Sequence, residues 1–283
     1  MTAVIRSPLV LAAILLAVSP SRRLAAQEPI ATDRPDFVES SLTVGRGVFQ
    51  LETSVATDWT RAAGATERTV GTPTLFRYGV SPVLELRLET EGYQRASNSA
   101  LNGATTGIAD AALGLKWHAL DGDGFRPSAA VLLHADLPSG SRAFRTEGVR
   151  PSLRVVGEWE LPAGFALGVM PGVVYDVDAA GDRQWVTLFG ATVGKPVSER
   201  LRFFAEFTAE ALPIGDVPAA TELDLGTALL LSKDVQLDLS LPGILANTSP
   251  TDYRVNKQLQ MMKFNGERWE LFGPILEDKG PAG

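Results

Sequence analysis

From Leu84 to Thr90 the chain alternates apolar and charged residues: Leu84, Leu86 and Leu88 interleave with Glu85, Arg87 and Glu89. Side chains of an extended strand point to opposite faces in turn, so this stretch is a ribbon with one oily face and one ionic face. Two kinds of fold use such a ribbon. A soluble sandwich turns the oil inward. A membrane barrel turns the oil to lipid and lines a wet lumen with the charges. The rest of the chain has to decide between them.

The same alternation recurs along the chain. Gly47–Trp59 sets Phe49, Leu51, Val55 and Trp59 against Gln50, Glu52 and Asp58. Thr72–Val80, Gly107–Ala119, Pro127–Leu137, Pro151–Leu161, Phe165–Val177, Gln184–Gly194, Leu201–Ala211, Glu222–Leu231 and Val235–Leu241 repeat it, and a poorer segment runs from Tyr253 to Met261. The spacing therefore predicts about 12 strands, an even number as in single-chain bacterial barrels. Short connections such as Ser81-Pro82 and Ser232-Lys-Asp234 alternate with long ones such as Arg61–Thr69, Gln94–Thr106 and Ser139–Arg150. Tight turns at one end and long loops at the other are the pattern of a membrane-spanning meander. With the first strand running outward, Phe49, Tyr78, Trp117, Trp159, Phe165 and Phe203 fall near the short-turn end. Trp59, Tyr175 and Trp185 fall near the other end. All share the oily parity, and two aromatic levels are what a lipid-facing barrel carries at its interfaces.

Composition and address fit that reading. No internal apolar run reaches the ~18 residues of a spanning helix. Residues 1–26 read as a cleaved secretory signal, with Arg6, the apolar run Pro8–Val18 and the small residues before Gln27. The chain has no cysteine, so an exported fold rests on sheet hydrogen bonds alone, and its net charge of −7 argues against nucleic acid as a partner. The expected organisation is a signal (1–26), a periplasmic segment or plug (27–46), an all-β transmembrane antiparallel meander barrel (47–262) and an atypical tail (263–283). The expected partners are outer-membrane lipid, the barrel assembly machinery and a small solute of unknown identity.

Ile30-Ala-Thr-Asp-Arg-Pro-Asp-Phe-Val-Glu-Ser40, Gly47-Val-Phe-Gln-Leu-Glu-Thr53, Thr72-Pro-Thr-Leu-Phe-Arg-Tyr-Gly79 and Gly107-Ile-Ala-Asp-Ala-Ala-Leu-Gly-Leu-Lys116 resemble the family labelled MetA-pathway of phenol degradation. The resemblance runs from about Ile30 to Val255, and Thr-Asp-Arg-Pro-Asp-Phe is its most specific piece. It implies an outer-membrane β-barrel transporter of Gram-negative bacteria with a part in handling aromatic compounds, and it brings no catalytic residues. Such barrels close on an alternating strand that ends in an aromatic residue. Here Asp252-Tyr-Arg-Val255 begins one, but a tail with an Asn265-Gly266 hairpin signal follows.

The candidate lumen residues are Glu85, Arg87, Glu89, Arg154, Glu158, Glu160, Arg202, Glu206 and Glu210, with Glu222 and Asp224 of the same parity. They select a solute or pair with one another to stiffen a closed barrel. Asp33, Arg34 and Asp36, just before the first strand, form a candidate gate or plug, or else a simple tether or assembly segment, and as a gate Arg34 is expected to pair with Glu52 or Glu85. His118 and His134 have lumen parity, but no third ligand is fixed by spacing, so no metal, cofactor or catalytic group is expected. Asp121-Gly-Asp-Gly124 lacks the later Glu of a calcium loop and reads as a turn. The functional expectation is a passive channel; the alternatives are a closed structural barrel and an exported soluble β-protein.

Overall fold

The computed structural model describes residues 5–6, 13–14, 16–18, 30–34, 36–62, 65–99, 103–177, 181–213, 220–241, 258–264 and 269–277. Eleven strands form one antiparallel meander barrel sheet: β1 (Phe49–Thr53), β2 (Thr74–Ser81), β3 (Leu84–Thr90), β4 (Ala111–Leu120), β5 (Ser128–Leu137), β6 (Arg150–Leu161), β7 (Phe165–Val177), β8 (Arg183–Pro196), β9 (Leu201–Pro213), β10 (Ala220–Ser232) and β11 (Val235–Leu241). Each pairs with its neighbours in the chain, so the connections are local throughout.

The place of a twelfth strand, between β11 and β1, is taken by two short pieces. Ala13–Ile14 pairs with Leu237 and Asp238, and Leu16–Val18 pairs with Phe49–Leu51. The segment expected to close the sheet, Tyr253–Met261, lies outside the described residues up to 257. Its remainder belongs to Gln258–Phe264, which pairs with Trp269–Glu277 as a separate two-stranded sheet. This is the hairpin anticipated around Asn265-Gly266, whose turn residues are themselves outside the described set.

Burial follows parity, and inversely to a soluble protein. Arg77, Glu52, Glu85 and Lys116 are fully buried on the inner face. Phe49, Tyr78, Leu86, Leu113, Trp117, Leu133, Leu153, Phe203, Leu225 and Leu239 stand exposed on the outer face. Water would penalise that outer surface heavily, at about 25 cal/mol per Å² of apolar area, whereas hydrocarbon does not. The fold is thus a transmembrane barrel, and the soluble alternative loses its support. Aromatic levels are visible in the register: Phe49 pairs with Tyr78 at the short-turn end, and Tyr175 pairs with Trp185 at the other. The side chain of Trp59 lies outside the described residues.

Two expectations need correcting. Arg61–Thr69 and Gln94–Thr106, read as long loops, are largely strand. Ala56–Ala62 with Ala65–Gly71, and Tyr93–Asn98 with Ala104–Ile108, make a sheet that carries β1–β4 past the barrel rim. Polar and apolar residues do not segregate by face in Ala65-Thr-Glu-Arg-Thr-Val-Gly71, because both faces of this extension meet water, so the period-two signal is lost there.

Candidate functional site: a septum across the lumen

Residues 30–44 do not stay outside the barrel. The Ile30 amide donates to the Lys233 carbonyl in the β10–β11 turn, and the Thr43 hydroxyl donates to the Pro82 carbonyl in the β2–β3 turn. Between these two anchors at the short-turn end, the chain loops into the lumen. A loop inside a barrel carries backbone groups that must find partners. Strand side chains supply them. Glu52 accepts the amides of Asp33 and Arg34, Glu206 accepts those of Phe37 and Val38, Glu158 accepts that of Ser41 and Glu85 accepts that of Val44. In return, Ala31 C=O accepts from Gln50 and Arg77, Leu42 C=O from Arg77, and Ser40 C=O from Lys116.

The centre of the septum is an ion-pair network. Asp33 lies 2.6 Å from Lys116 Nζ, 2.5 Å from Arg87 and 3.3 Å from Arg77. Arg77 also meets Glu52 at 3.0 Å and Glu85 at 2.8 Å. Arg87 continues to Glu39 at 2.7 Å and Glu89 at 3.0 Å, and Arg154 reaches Glu39 at 3.0 Å. Each buried charge has an opposite neighbour, the condition under which such groups are tolerated away from water. Burial pushes the Asp33 carboxyl up, but Arg77, Lys116 and Arg87 outweigh it and hold the group well below the usual carboxylate range. Asp36, 3.3 Å from Arg202, is pushed up to about 6: burial dominates, Arg202 pulls it down, and Asp33 and Glu52 add to the rise.

Apolar contacts seat the same segment. Val38 joins Ala130, Leu132, Val156 and Met170 in a small buried cluster with Phe37 against it. The inward-facing Gly168 and Gly190 make the room: a Cβ on Gly190 would stand 2.6 Å from Phe37 and 2.7 Å from Val38, and one on Gly168 would stand 3.0 Å from Val38. The septum separates two spaces. A cavity of about 250 Å³ near the short-turn end is lined by Thr32, Asp36, Ser40 and Arg202. Towards the long loops lie cavities of about 220 and 460 Å³, which share Arg34, Glu89, Glu91 and Arg154.

Residues 32–250 match the family described as "Putative MetA-pathway of phenol degradation". The chain belongs to this family. No curated protein matches it. Among solved structures, this MetA-pathway family member is similar to the COG4313 outer membrane channel from Pseudomonas putida F1, with a TM-score of 0.41 and 13% identity over 84% of this chain and 94% of that one.

The residues singled out from the sequence of this family member fare differently. Glu85, Arg87, Glu89, Arg154 and Glu206 meet in or beside the septum, as do Asp33 and Asp36. Glu158 binds Ser40 and Ser41 rather than another strand charge. Arg202 faces Asp36. Glu160 has inward parity but sits exposed at the short-turn end of β6. The side chain of Glu210 lies outside the described residues. Arg34 does not pair with Glu52 or Glu85. Its amide takes Glu52, while its guanidinium turns to Glu91 at 4.0 Å, because Arg77 already occupies both carboxylates.

Sequence reasoning left Arg77, Lys116 and Glu39 out of the site and placed Glu52 there only as a partner for Arg34. Inward parity marked three of them, but nothing local marks them as partners of a segment many residues away. Among the described residues, Glu39, Glu89 and His134 bring ligand-type atoms within 4.8 Å of one another. The Arg87 guanidinium spans both carboxylates and already supplies the positive charge a cation would bring.

Proposed function

We propose that this chain is an outer-membrane channel for small solutes, closed by the 30–44 segment and opened when that segment leaves the lumen. The observation that carries the reading is the septum itself, a loop that leads into β1 and is tied to the inner face of most strands. The lipid-facing outer surface supports the outer membrane as its place, and lipid and the barrel assembly machinery as its partners. In this reading residues 1–26 are a cleaved address, and Ala13–Ile14 and Leu16–Val18, which stand between β11 and β1, leave the sheet with it. The family description, which names phenol degradation, supports aromatic compounds as solutes; in this reading they move passively and unchanged. Tightly paired charges also suit a closed structural barrel. Liposome swelling separates the two: entry of small aromatic solutes through the purified full-length protein supports the channel, and impermeable liposomes containing heat-modifiable, folded barrel leave the structural reading.

A further inference from the structure

The larger outer cavity, about 460 Å³, brings together three arginines from three different places: Arg34 on the septum and Arg150 and Arg154 on β6. None is fully covered; their side chains are 24%, 28% and 22% exposed. Their hydrogen-bonding capacity is far from spent. A guanidinium offers five N–H donors. Among the described residues, Arg34 makes no side-chain hydrogen bond and has Glu91, at 4.0 Å, as its ion partner. Arg154 donates once, to Glu39. Arg150 reaches Asp136 and Asp176 with its terminal nitrogens. The Nε of all three is buried without an acceptor. Those Nε atoms are closed off from solvent, so what a ligand in the cavity can meet is the partly exposed remainder of the three guanidiniums, with its unused terminal N–H groups.

Four acids share the wall: Asp136 is paired with Arg150, Glu91 stands 4.0 Å from Arg34, and Glu89 and Asp110 have partners of their own. Glu89 is held by Arg87 and His134. Asp110 accepts from the Gly140 and Thr146 amides and the Thr146 hydroxyl. The rest of the lining includes Phe144 and the short side chains of Ala109, Ala111 and Ala112. Cavities of about 300–1,000 Å³ that pair an apolar wall with a few convergent polar groups are the usual form of small-molecule sites.

We propose that this outer chamber binds a small aromatic carboxylate, its carboxyl group held by Arg34, Arg150 and Arg154 and its ring against Phe144 and the alanine wall. The inference rests on the channel reading for its biological sense, but binding is measurable without transport. The guanidinium fork matches a carboxylate in two parallel hydrogen bonds. Because Arg34 belongs to the septum, an occupied chamber couples ligand to the closing segment.

The test is calorimetric titration of the detergent-solubilised full-length protein with benzoate and with its neutral analogue benzyl alcohol. Benzoate should bind at least tenfold more tightly. Arg34→Gln and Arg150→Gln should each weaken benzoate at least tenfold and leave benzyl alcohol unchanged. Arg150→Gln lies on a strand, so the result does not depend on the septum staying docked, and an unshifted heat-modifiable band verifies folding. Equal binding of the two compounds, no binding of benzoate, or wild-type benzoate affinity in both variants would overturn the proposal. Planar-bilayer conductance of the same sample judges the channel separately: conductance without benzoate binding removes only the carboxylate site, and benzoate binding without conductance removes only the channel.

Discussion

The carboxylate of Asp33 sits 2.6 Å from the ammonium of Lys116, and the two residues, 83 positions apart in the chain, are both fully enclosed in the barrel lumen. One comes from a loop before the first strand and the other from β4, so this single contact ties the septum to the wall. Removing one member of a buried pair strands the other charge, at a cost of about 3–5 kcal/mol. Asp33→Ala leaves Lys116 with Glu39 at 3.8 Å as its nearest ion partner and takes one partner each from Arg77 and Arg87. The expected outcome is release of the septum from an otherwise folded barrel, seen as new protease cleavage within residues 30–44 while the heat-modifiable shift on a gel is retained.

Steric exclusion should do the same without touching a charge. Gly190→Val places a branched side chain where Phe37 and Val38 now lie. Gly194→Val is the matched control, since its nearest contact is the Arg202 side chain at 3.6 Å, an ordinary van der Waals distance. Protease exposure of residues 30–44 should rise in the first variant and stay near wild type in the second.

Acidity should tighten the septum. A free Asp titrates near 3.9, whereas burial raises Asp36 to about 6 in the docked segment. Docking therefore takes up a proton, so Asp36 opposes docking most above about pH 6, and that opposition fades as the pH falls from 6 towards about 4. Asp33 works in the other sense: its depressed carboxyl favours docking at neutral pH, and that contribution is lost only in stronger acid. Between pH 7.5 and 5 the Asp36 contribution amounts to about tenfold tighter docking. Asp36→Asn should remove that portion of the pH dependence, measured as the difference between variant and wild type in protease exposure across the range.

The direction of the oily face is open to a direct check. Leu225 stands exposed near the middle of β10. Leu225→Arg should destabilise the barrel in lipid by about 2–4 kcal/mol, the midplane cost of a charge facing hydrocarbon. Reversible urea unfolding in lipid vesicles measures it. An unchanged midpoint would mean that this face does not meet lipid.

Parity was the part of this molecule that could be read in advance. Leu86, Leu113, Trp117 and Phe203 point out, and Glu85, Arg87, Lys116 and Glu206 point in, because a strand has only two faces and lipid tolerates only one kind of residue. Pairing was not legible. Whether Glu206 meets a strand arginine or the amides of Phe37 and Val38 depends on a segment 168 or more residues away, with no periodic pattern of its own. Arg34 was misassigned for the same reason: Glu52 and Glu85 were the right height for it, but Arg77 was nearer. Within the sheet beyond the rim, Arg61–Thr69 and Gln94–Thr106 read as loop because water on both faces erases the alternation. The inward glycines Gly168 and Gly190 are the signal that did exist: small residues on a lumen face leave room for something to pack there.

The most direct measurement is single-channel conductance in a planar bilayer, comparing the full-length protein with a variant lacking Ile30–Ser40. If the 30–44 segment closes an otherwise continuous lumen, the full-length protein should conduct little, and the deletion should produce a several-fold larger, stable conductance. Equal conductance in the two proteins, or none in a folded deletion variant, would contradict the account.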